Sequence, residues 1–276
     1  MSDAKQAALT RRTALALATA GVAAAAATPA FAVGAIKHYI IVELLPGQDQ
    51  NVLDRWYMTF HSQQVHRAFK AWQRNYVSYR AYMVPPEAAK HYPIDFGRMT
   101  EIQFDSLADF RETRPHNIYG ELSSYTPPPG GWEGQKLFKA TTATIPVNPQ
   151  DLFLNSPTPP KEIPYFRWIV FFRYPKGVTE AAGDAWYKGV HAKEIAKLPG
   201  LKRFGLYHTV TEQAAYPHVA EMWFDDYDAW RKAFIAPAPK FTPPPWGGAE
   251  PFVEMISMFV GENPDVDFIN DRRAIP

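Results

Sequence analysis

A tyrosine precedes a histidine by four residues at two places in the chain. The pairs are Tyr57 with His61 and Tyr187 with His191. Residues four apart share one face of a helix, so each phenol and its imidazole point to the same side. Imidazole exchanges protons near neutral pH, and these four side chains are therefore candidate catalytic acids and bases. The alternative is that they only pack a helix against a sheet.

Glu101 and Glu221 are candidate acids or bases in two apolar segments that alternate as strands do. With Ile102 and Met222 turned toward helices, alternation directs both carboxyl groups to the opposite face of the sheet. A carboxyl group buried there needs a partner, a cavity or a shifted pKa. The alternative is that Glu221 forms an ion pair, and its candidate partners are Arg98, Arg173 and Arg203.

His208 is a further candidate base, because it ends a predicted strand directly after Tyr207. Trp223, Tyr82 and Tyr207 are predicted to contact the substrate, since aromatic side chains line most small-molecule sites. The chain contains 8 Trp, 14 Tyr and 18 Phe. This aromatic content favours an aromatic or apolar ligand.

The composition excludes several classes of function. The chain has no cysteine, which removes disulfides, thiolate nucleophiles and cysteine-ligated metals. It contains no His-x-x-x-His motif and no local cluster of histidine with carboxylates, so no metal site is predicted. With 29 Lys and Arg against 28 Asp and Glu, the formal net charge is only +1, which is too small to indicate binding of nucleic acid.

The candidate residues fall in two copies of one pattern. Four blocks recur in the same order along the chain, which indicates an internal duplication. The paired blocks are Asp54–His61 with Asp184–His191, Thr100–Arg111 with Ala220–Arg231, Tyr39–Val42 with Trp168–Phe171, and the loops Thr126–Trp132 with Thr242–Gly248.

Each copy is predicted to run strand, helix, strand, strand, helix, strand. The fold class is therefore α+β, with two tandem ferredoxin-like βαββαβ repeats. The repeats are predicted at 33–146 and 165–276, and the proline-rich segment 147–164 is predicted to link them, because proline cannot donate to a strand ladder. Predicted strands are 38–45, 76–84, 98–104, 136–146, 166–174, 201–210, 219–224 and 251–260, and predicted helices are 50–72, 106–114, 179–197 and 226–235.

Residues 1–32 are predicted to be a twin-arginine signal peptide. Arg11 and Arg12 precede an apolar, alanine-rich stretch, and Ala30-Phe31-Ala32 resembles a cleavage site. The apolar stretch is shorter than the ~20 residues that a membrane span requires. We therefore expect export in the folded state to the periplasm, without insertion into the membrane.

The second copy resembles the dimeric α/β barrel superfamily, and within it the EthD branch. The resemblance rests on Trp186–His191, Leu198–Leu201 and Ala220–Asp225. The first copy departs from the pattern, with Phe69–Trp72 where Pro-Gly would fall. The resemblance implies that the two sheets pack face to face as a barrel, here a pseudo-dimer within one chain. The aromatic residues of the paired proline-rich loops favour a lid over the mouth of this barrel, and the alternative is that the loops only cap its ends.

The superfamily includes cofactor-independent isomerases, cyclases, lyases and monooxygenases, as well as haem proteins. We expect a lyase or isomerase that acts on an aromatic or polyketide-like molecule by acid–base chemistry, without a cofactor. The expected site is His191, Tyr187 and Glu221 with His208 nearby, and its counterpart in the first copy is His61, Tyr57 and Glu101. The alternatives are a haem-dependent oxidoreductase and a periplasmic binder of apolar ligands without chemistry. Assembly into a homo-oligomer stays open.

Overall fold

Two β-sheets and five helices make up the described part of the chain. The computed structural model describes residues 34–113, 125–132, 136–156, 163–211 and 214–268, and the predicted signal peptide lies outside them. The strands are β1 (Ile36–Leu44), β2 (Gln73–Arg80), β3 (Ile94–Asp95), β4 (Gly97–Phe104), β5 (Phe138–Pro146), β6 (Asp151–Asn155), β7 (Phe166–Arg173), β8 (Leu201–His208), β9 (His218–Phe224), β10 (Glu254–Gly261) and β11 (Val266–Asp267).

The two long helices each consist of three consecutive segments with a π-helical turn in the middle. Helix α1 comprises Gln50–Trp56, the π-helical turn Tyr57–His61, and Ser62–Phe69, and helix α4 comprises Glu180–Trp186, the π-helical turn Tyr187–His191, and Ala192–Ile195. The shorter helices are α2 (Pro86–His91), α3 (Leu107–Glu112) and α5 (Tyr227–Phe234). None of the helices in the described ranges has both the length and the apolar character that a membrane crossing requires.

The strand order confirms the predicted α+β fold. The first sheet has the order β11-β2-β4-β1-β5, and the second has the order β3-β10-β7-β9-β8-β6. Strand β1 lies between β4 and β5 in the first sheet, β7 lies between β9 and β10 in the second, and these neighbours run antiparallel. This is the arrangement of a βαββαβ unit, formed once by each repeat.

Backbone hydrogen bonds join the sheets at both edges. The amide of Tyr82 donates to the carbonyl of Phe259 at 2.9 Å, and the amide of Val210 donates to the carbonyl of Thr144 at 2.8 Å. Buried apolar side chains from both sheets fill the space between them, among them Tyr39, Ile41, Phe171, Val219 and Met258. The two repeats therefore form one closed barrel within a single chain.

Each repeat also supplies a short strand to the sheet of the other. Strand β3, which follows the insertion helix α2 in the first repeat, runs parallel to β10 with Ile94 opposite Ser257. Strand β11, at the end of the second repeat, pairs with β2, where Val266 lies opposite Ser78. The segment predicted as a linker contributes β6, which pairs with β8. This strand forms because Asp151–Asn155 contains no proline, although prolines flank it on both sides.

The structure corrects the alignment of the first strands by one residue. Tyr39 lies opposite Glu101, and Ile169 lies opposite Glu221. The true equivalent of Tyr39 is therefore Ile169, whereas the sequence alignment paired Tyr39 with Trp168. A slip of one residue exchanges the two faces of a strand, and Trp168 does face the helices, where it packs on Trp230.

The ends of the long helices follow from their capping residues. Asp49 and Thr179 precede the helices, and each side chain accepts a hydrogen bond from a backbone amide of the first turn. Helix α1 ends at Phe69 rather than at the predicted Trp72, because the amide of Trp72 bonds to the carbonyl of Phe69 in a turn that leads into β2.

Candidate active site

A small cavity lies between the outer face of the second sheet and the helices that cover it. Its volume is about 30 Å³, enough for a water molecule. Helix α4 contributes Tyr187 and His191, and helix α2 is followed by Tyr92, which reaches in from the first repeat. The remaining walls are apolar side chains of the sheet, helix α5 and the loop before β10, with the carboxyl group of Glu250, and include Trp168, Phe172, Met222, Phe234, Phe241 and Val253.

His191 is a buried, neutral imidazole in the wall of this cavity. Its ring stacks on Trp186 with ring centroids 4.7 Å apart and meets Phe241 edge-on at 4.7 Å. Burial lowers the pKa of His191 from 6.5 to about 4, although the charge of Glu194 acts in the opposite direction. Its Nδ1 atom has no hydrogen-bond partner among the described residues. At neutral pH this side chain is therefore unprotonated, and a ring nitrogen can accept a hydrogen bond.

Tyr187 lies one π-helical turn before His191, and their rings meet edge-on with centroids 5.4 Å apart. Its ring stacks on Phe172, with centroids 4.5 Å apart. Burial raises the pKa of Tyr187, so the phenol keeps its proton at neutral pH. Toward an anion it therefore acts as a hydrogen-bond donor. The structure thus brings together the tyrosine and the histidine that the sequence paired.

Glu250 and Tyr92 complete the polar part of the cavity, and the sequence analysis missed both. The hydroxyl group of Tyr92 donates a short hydrogen bond to Glu250. Burial raises the pKa of Glu250, although the bond from Tyr92 acts in the opposite direction. Tyr92 belongs to an insertion that has no counterpart in the second repeat, so a comparison of the repeats could not find it. Glu250 stands before Pro251 in a loop, where no periodicity marks it.

The first repeat holds its Tyr-His pair differently. The hydroxyl group of Tyr57 is hydrogen-bonded to Tyr76 at 3.1 Å and also to Thr100. The ring of His61 stacks on Trp56 with centroids 4.6 Å apart, and burial lowers the pKa of His61 to about 4. The polar atom of Tyr57 is therefore already satisfied by the protein.

The paired proline-rich loops cover the helix side of each sheet, not the mouth of the barrel. Trp186 Nε1 donates to the carbonyl of Thr242 at 3.3 Å, and Trp56 Nε1 donates to the carbonyl of Thr126 at 3.1 Å. Trp246 also packs edge-on against Trp186, with centroids 5.2 Å apart. The expectation of a lid over the barrel mouth was wrong, because the loops follow the tryptophans of the long helices.

Glu221 does not join the His191 cavity, because the two side chains lie on opposite faces of the second sheet. The carboxylate points into the barrel, where it lies 2.9 Å from Arg167 and 3.3 Å from Lys37 of the first repeat. Tyr39, Tyr207 and Trp223 donate further hydrogen bonds to it. The ion pair expected as the alternative exists, but with partners other than Arg98, Arg173 and Arg203.

Burial by itself would raise the pKa of Glu221. The nearby charges of Lys37 and Arg167 outweigh this effect and hold the pKa of Glu221 well below its usual range. A carboxylate held this strongly in its ionised form is a poor proton acceptor. The inner network therefore favours a structural role for Glu221.

The other predicted site residues are spread over the barrel. Glu101 also faces inward, where it accepts a hydrogen bond from Gln103 at 2.6 Å. Trp223 and Tyr207 serve as partners of Glu221. Tyr82 is about half exposed at one seam and stacks on Phe166 with centroids 5.6 Å apart. The structure brings none of these four side chains into the His191 cavity.

His208 belongs to a second polar cluster at the end of the second sheet. It lies near His218, Glu180 and Asp184, and one ligand-type atom from each of the four side chains lies within 4.8 Å of the others. The sequence shows no such cluster because Glu180 and Asp184 start helix α4, whereas the two histidines come from the ends of β8 and β9.

A haem group does not fit the His191 cavity. Binding pockets for organic ligands have volumes of about 300–1,000 Å³, and this cavity holds about 30 Å³. His191 is an imidazole of the kind that ligates haem iron, but Trp168, Phe172 and Phe241 fill the space beside it.

Comparisons with known proteins support the fold. Neither the scan of protein families nor the search of curated proteins finds a match. A solved structure described as an anthrone oxidase-like protein matches with a TM-score of 0.51 and 14% identity, over 83% of this chain and 91% of that chain. A mutant chlorite dismutase from Candidatus Nitrospira defluvii matches with a TM-score of 0.45 and 8% identity, over 84% and 92% of the two chains. The chain therefore has the ferredoxin-like dimeric α/β barrel fold, formed by two repeats of one polypeptide.

Proposed function

We propose that the second repeat binds a weakly acidic aromatic molecule at the His191 cavity, and that His191 removes a proton from it. The observation that carries this proposal is the neutral imidazole of His191 among aromatic walls, with Tyr187, Tyr92 and Glu250 as the other polar groups. Proton transfer to a positioned histidine typically accelerates a reaction about 10²–10⁴-fold.

The surrounding residues suit the anion that proton removal creates. The phenol of Tyr187 donates a hydrogen bond to a phenolate or enolate oxygen, a form of stabilisation that is strongest where water is excluded. Glu250, whose pKa is raised, returns a proton at another carbon when it is in its acid form. Removal of a proton from one carbon and addition of a proton at another convert the substrate into an isomer, and this reaction needs no cofactor.

Entry of a ring requires the loop before β10 to move. The cavity holds about 30 Å³, which is less than an aromatic ring occupies. Phe241 and Phe252 both pack edge-on against His191 from this loop, with centroids 4.7 Å and 6.1 Å away. We propose that the substrate ring takes the place of these phenylalanine rings against the imidazole.

Oxidation is a second candidate for the fate of the anion. It is supported by the likeness of the fold to the protein described as anthrone oxidase-like. Conversion of a ring CH₂ group and O₂ into a carbonyl group and water balances in atoms and electrons, with one oxygen atom in each product. Proton removal by His191 precedes both fates.

Anthrone in deuterated buffer tests the proposal. We expect the protein to accelerate deuterium uptake at the ring CH₂ group under nitrogen, measured by mass spectrometry, and His191→Gln to slow it about 10²-fold or more. His61→Gln changes the equivalent histidine of the first repeat and should leave the exchange rate unaltered. Oxygen consumption in air then distinguishes oxidation from isomerisation. Equal exchange by the wild-type protein and His191→Gln would show that His191 is not the base.

We also propose that the protein is exported through its N-terminal segment. The supporting observation is the sequence Arg11-Arg12 followed by the alanine-rich stretch and Ala30-Phe31-Ala32. Expression of the full chain in a bacterium should give a periplasmic protein whose first residue is Val33. Retention of Met1 in that fraction would contradict the cleavage site.

A further inference from the structure

The cluster of Glu180, Asp184, His208 and His218 has the composition of a metal site. His218 Nε2 lies 2.9 Å from Glu180 Oε1 and 3.2 Å from Asp184 Oδ1. His208 Nδ1 lies 3.7 Å from Glu180 Oε1, and its Nε2 lies 3.6 Å from Asp184 Oδ2. Ligands bound about 2.0–2.1 Å from one ion lie roughly 3.0 Å apart in octahedral and 3.4 Å apart in tetrahedral geometry. The two distances from His218 Nε2 are close to these values, and the two from His208, each measured from a different ring nitrogen, are longer by a few tenths of an ångström.

The first repeat shows what the same positions contain without a metal site. Strand pairing makes Arg80 and Arg98 neighbours across β2 and β4, as His208 and His218 are across β8 and β9. Both arginines bind Asp54, at 3.2 Å and 2.7 Å. In the first repeat, permanent positive charges therefore neutralise the helix carboxylate.

The second repeat replaces both arginines by histidines and adds a carboxylate. Asp184 is the counterpart of Asp54, and Glu180 stands where Gln50 donates to Asp54 at 2.8 Å. Lys188 contributes one positive charge, 3.1 Å from Asp184. Lys188 also lies 3.0 Å from Asp151, so the two carboxylates of the cluster share this lysine with a third acidic residue and, among the described residues, have no arginine beside them.

Several contacts hold the potential ligands in place. His218 is fully buried, and its ring stacks on Phe172 with centroids 4.7 Å apart and an interplanar angle of 14°. The hydroxyl group of Tyr174 donates to Asp184 at 2.8 Å. The Nε2 atom of His208 is buried without a hydrogen-bond partner among the described residues, although it faces Asp184. Such outer contacts orient ligands in metal sites.

We propose that Glu180, Asp184, His208 and His218 bind one divalent first-row transition-metal ion. Two imidazoles and two carboxylates, without sulfur, suit Zn²⁺, Co²⁺ or Fe²⁺, whereas Ca²⁺ and Mg²⁺ prefer oxygen ligands alone. Four protein ligands are typical of a structural site. The ion ties the start of helix α4 to the ends of β8 and β9, on the far side of Phe172 from the His191 cavity.

Titration of the untagged, chelator-treated full chain with Co²⁺ and Zn²⁺ tests this proposal. We expect one ion per chain by calorimetry, a visible Co²⁺ spectrum that Zn²⁺ abolishes, and a higher unfolding temperature with Zn²⁺. The matched variant is Glu180→Gln with His208→Arg and His218→Arg, which installs the residue types of Gln50, Arg80 and Arg98. It should bind at least 100-fold more weakly.

A single substitution keeps the test decisive if the triple variant does not fold. Glu180→Gln alters a half-exposed side chain, and its affinity for Zn²⁺ should fall at least 10-fold. Failure of the wild-type protein to bind either ion would overturn the proposal. Binding of equal affinity and stoichiometry in the wild-type protein and the variants would overturn it as well, since the metal would then lie elsewhere.

Discussion

The carboxylate of Glu194 accepts two hydrogen bonds from Thr242, one from the backbone amide at 3.0 Å and one from Oγ1 at 2.6 Å. In the first repeat the amide side chain of Gln64 makes the equivalent pair of bonds to Thr126, both at 3.0 Å. These bonds fasten the proline-rich loops to the long helices. They show that Glu194 and Gln64, each three residues after the histidine of its repeat, hold the loops in place.

Removal of this anchor should destabilise the second repeat. We expect Glu194→Ala to lower the free energy of unfolding by about 1–2 kcal/mol, because both bonds to Thr242 are lost. Glu194→Gln installs the residue type of Gln64 and should lose less than half of that. Urea denaturation measures both values, and a glutamine variant as unstable as the alanine variant would contradict the anchor.

Loss of the ion pairs inside the barrel should lower the free energy of unfolding more than loss of the Glu194 anchor does. Glu221→Gln should lower the free energy of unfolding by about 3–5 kcal/mol, because it leaves the buried charges of Lys37 and Arg167 without their partner. Glu101→Gln is the matched control on the other sheet, where the observed partner is Gln103, and about 1 kcal/mol is expected. Similar losses in the two variants would argue against the central role of Glu221.

The buried histidine of the cavity makes stability depend on pH. His191 binds a proton at pH 6.5 in the unfolded chain but only at about pH 4 in the folded protein, so the unfolded state binds more protons between these values. Stability should therefore be complete above about pH 6.5 and fall by about 3 kcal/mol as the pH drops to about 4.

Comparison with a variant isolates this contribution. His191→Gln cannot titrate, so the difference in unfolding free energy between it and the wild-type protein should shrink by about 3 kcal/mol from about pH 8 to about pH 4. Asp95, whose pKa burial raises to about 7, acts with the opposite sign and cancels in the difference. A difference that does not change with pH would show that His191 is solvated.

Replacement of two glycines of helix α4 by alanine should change the stability in opposite directions. A Cβ atom at Gly183 would lie 2.1 Å from the ring of Tyr174, whereas one at Gly189 would meet nothing within 4 Å. Gly183→Ala should cost about 1–3 kcal/mol through overpacking, and Gly189→Ala should gain about 0.5–1 kcal/mol through reduced freedom of the unfolded chain. Thermal unfolding distinguishes the signs, and destabilisation by Gly189→Ala would contradict the open surroundings of that residue.

The sequence predicts the fold well because the duplication can be checked against itself. Strand alternation places Glu101 and Glu221 correctly on the inner face, since Ile102 and Met222 are buried on the outer one. The same reasoning aligns Tyr39 with Trp168, which is wrong by one residue. The first strands are apolar runs buried on both faces, so no alternation of polar and apolar residues shows which of their positions correspond.

The candidate site is less predictable because its parts are distant in the chain. Tyr187 and His191 meet through local helical spacing, which a sequence shows. Tyr92 and Glu250 reach the same cavity from an insertion of the first repeat and from the loop before β10, and the pairing of His208 with His218 depends on the register of β8 and β9. Sequence spacing carries no information about either relationship.

The unequal residues at equivalent positions of the barrel have an evolutionary consequence. Tyr39 donates to Glu221, whereas its counterpart Ile169 has no polar group to offer Glu101. In a homodimer every mutation appears twice, so such an unsymmetrical pair cannot arise. Fusion of the two copies in one gene removes this constraint, and selection can then act on one half while the other retains the ancestral packing.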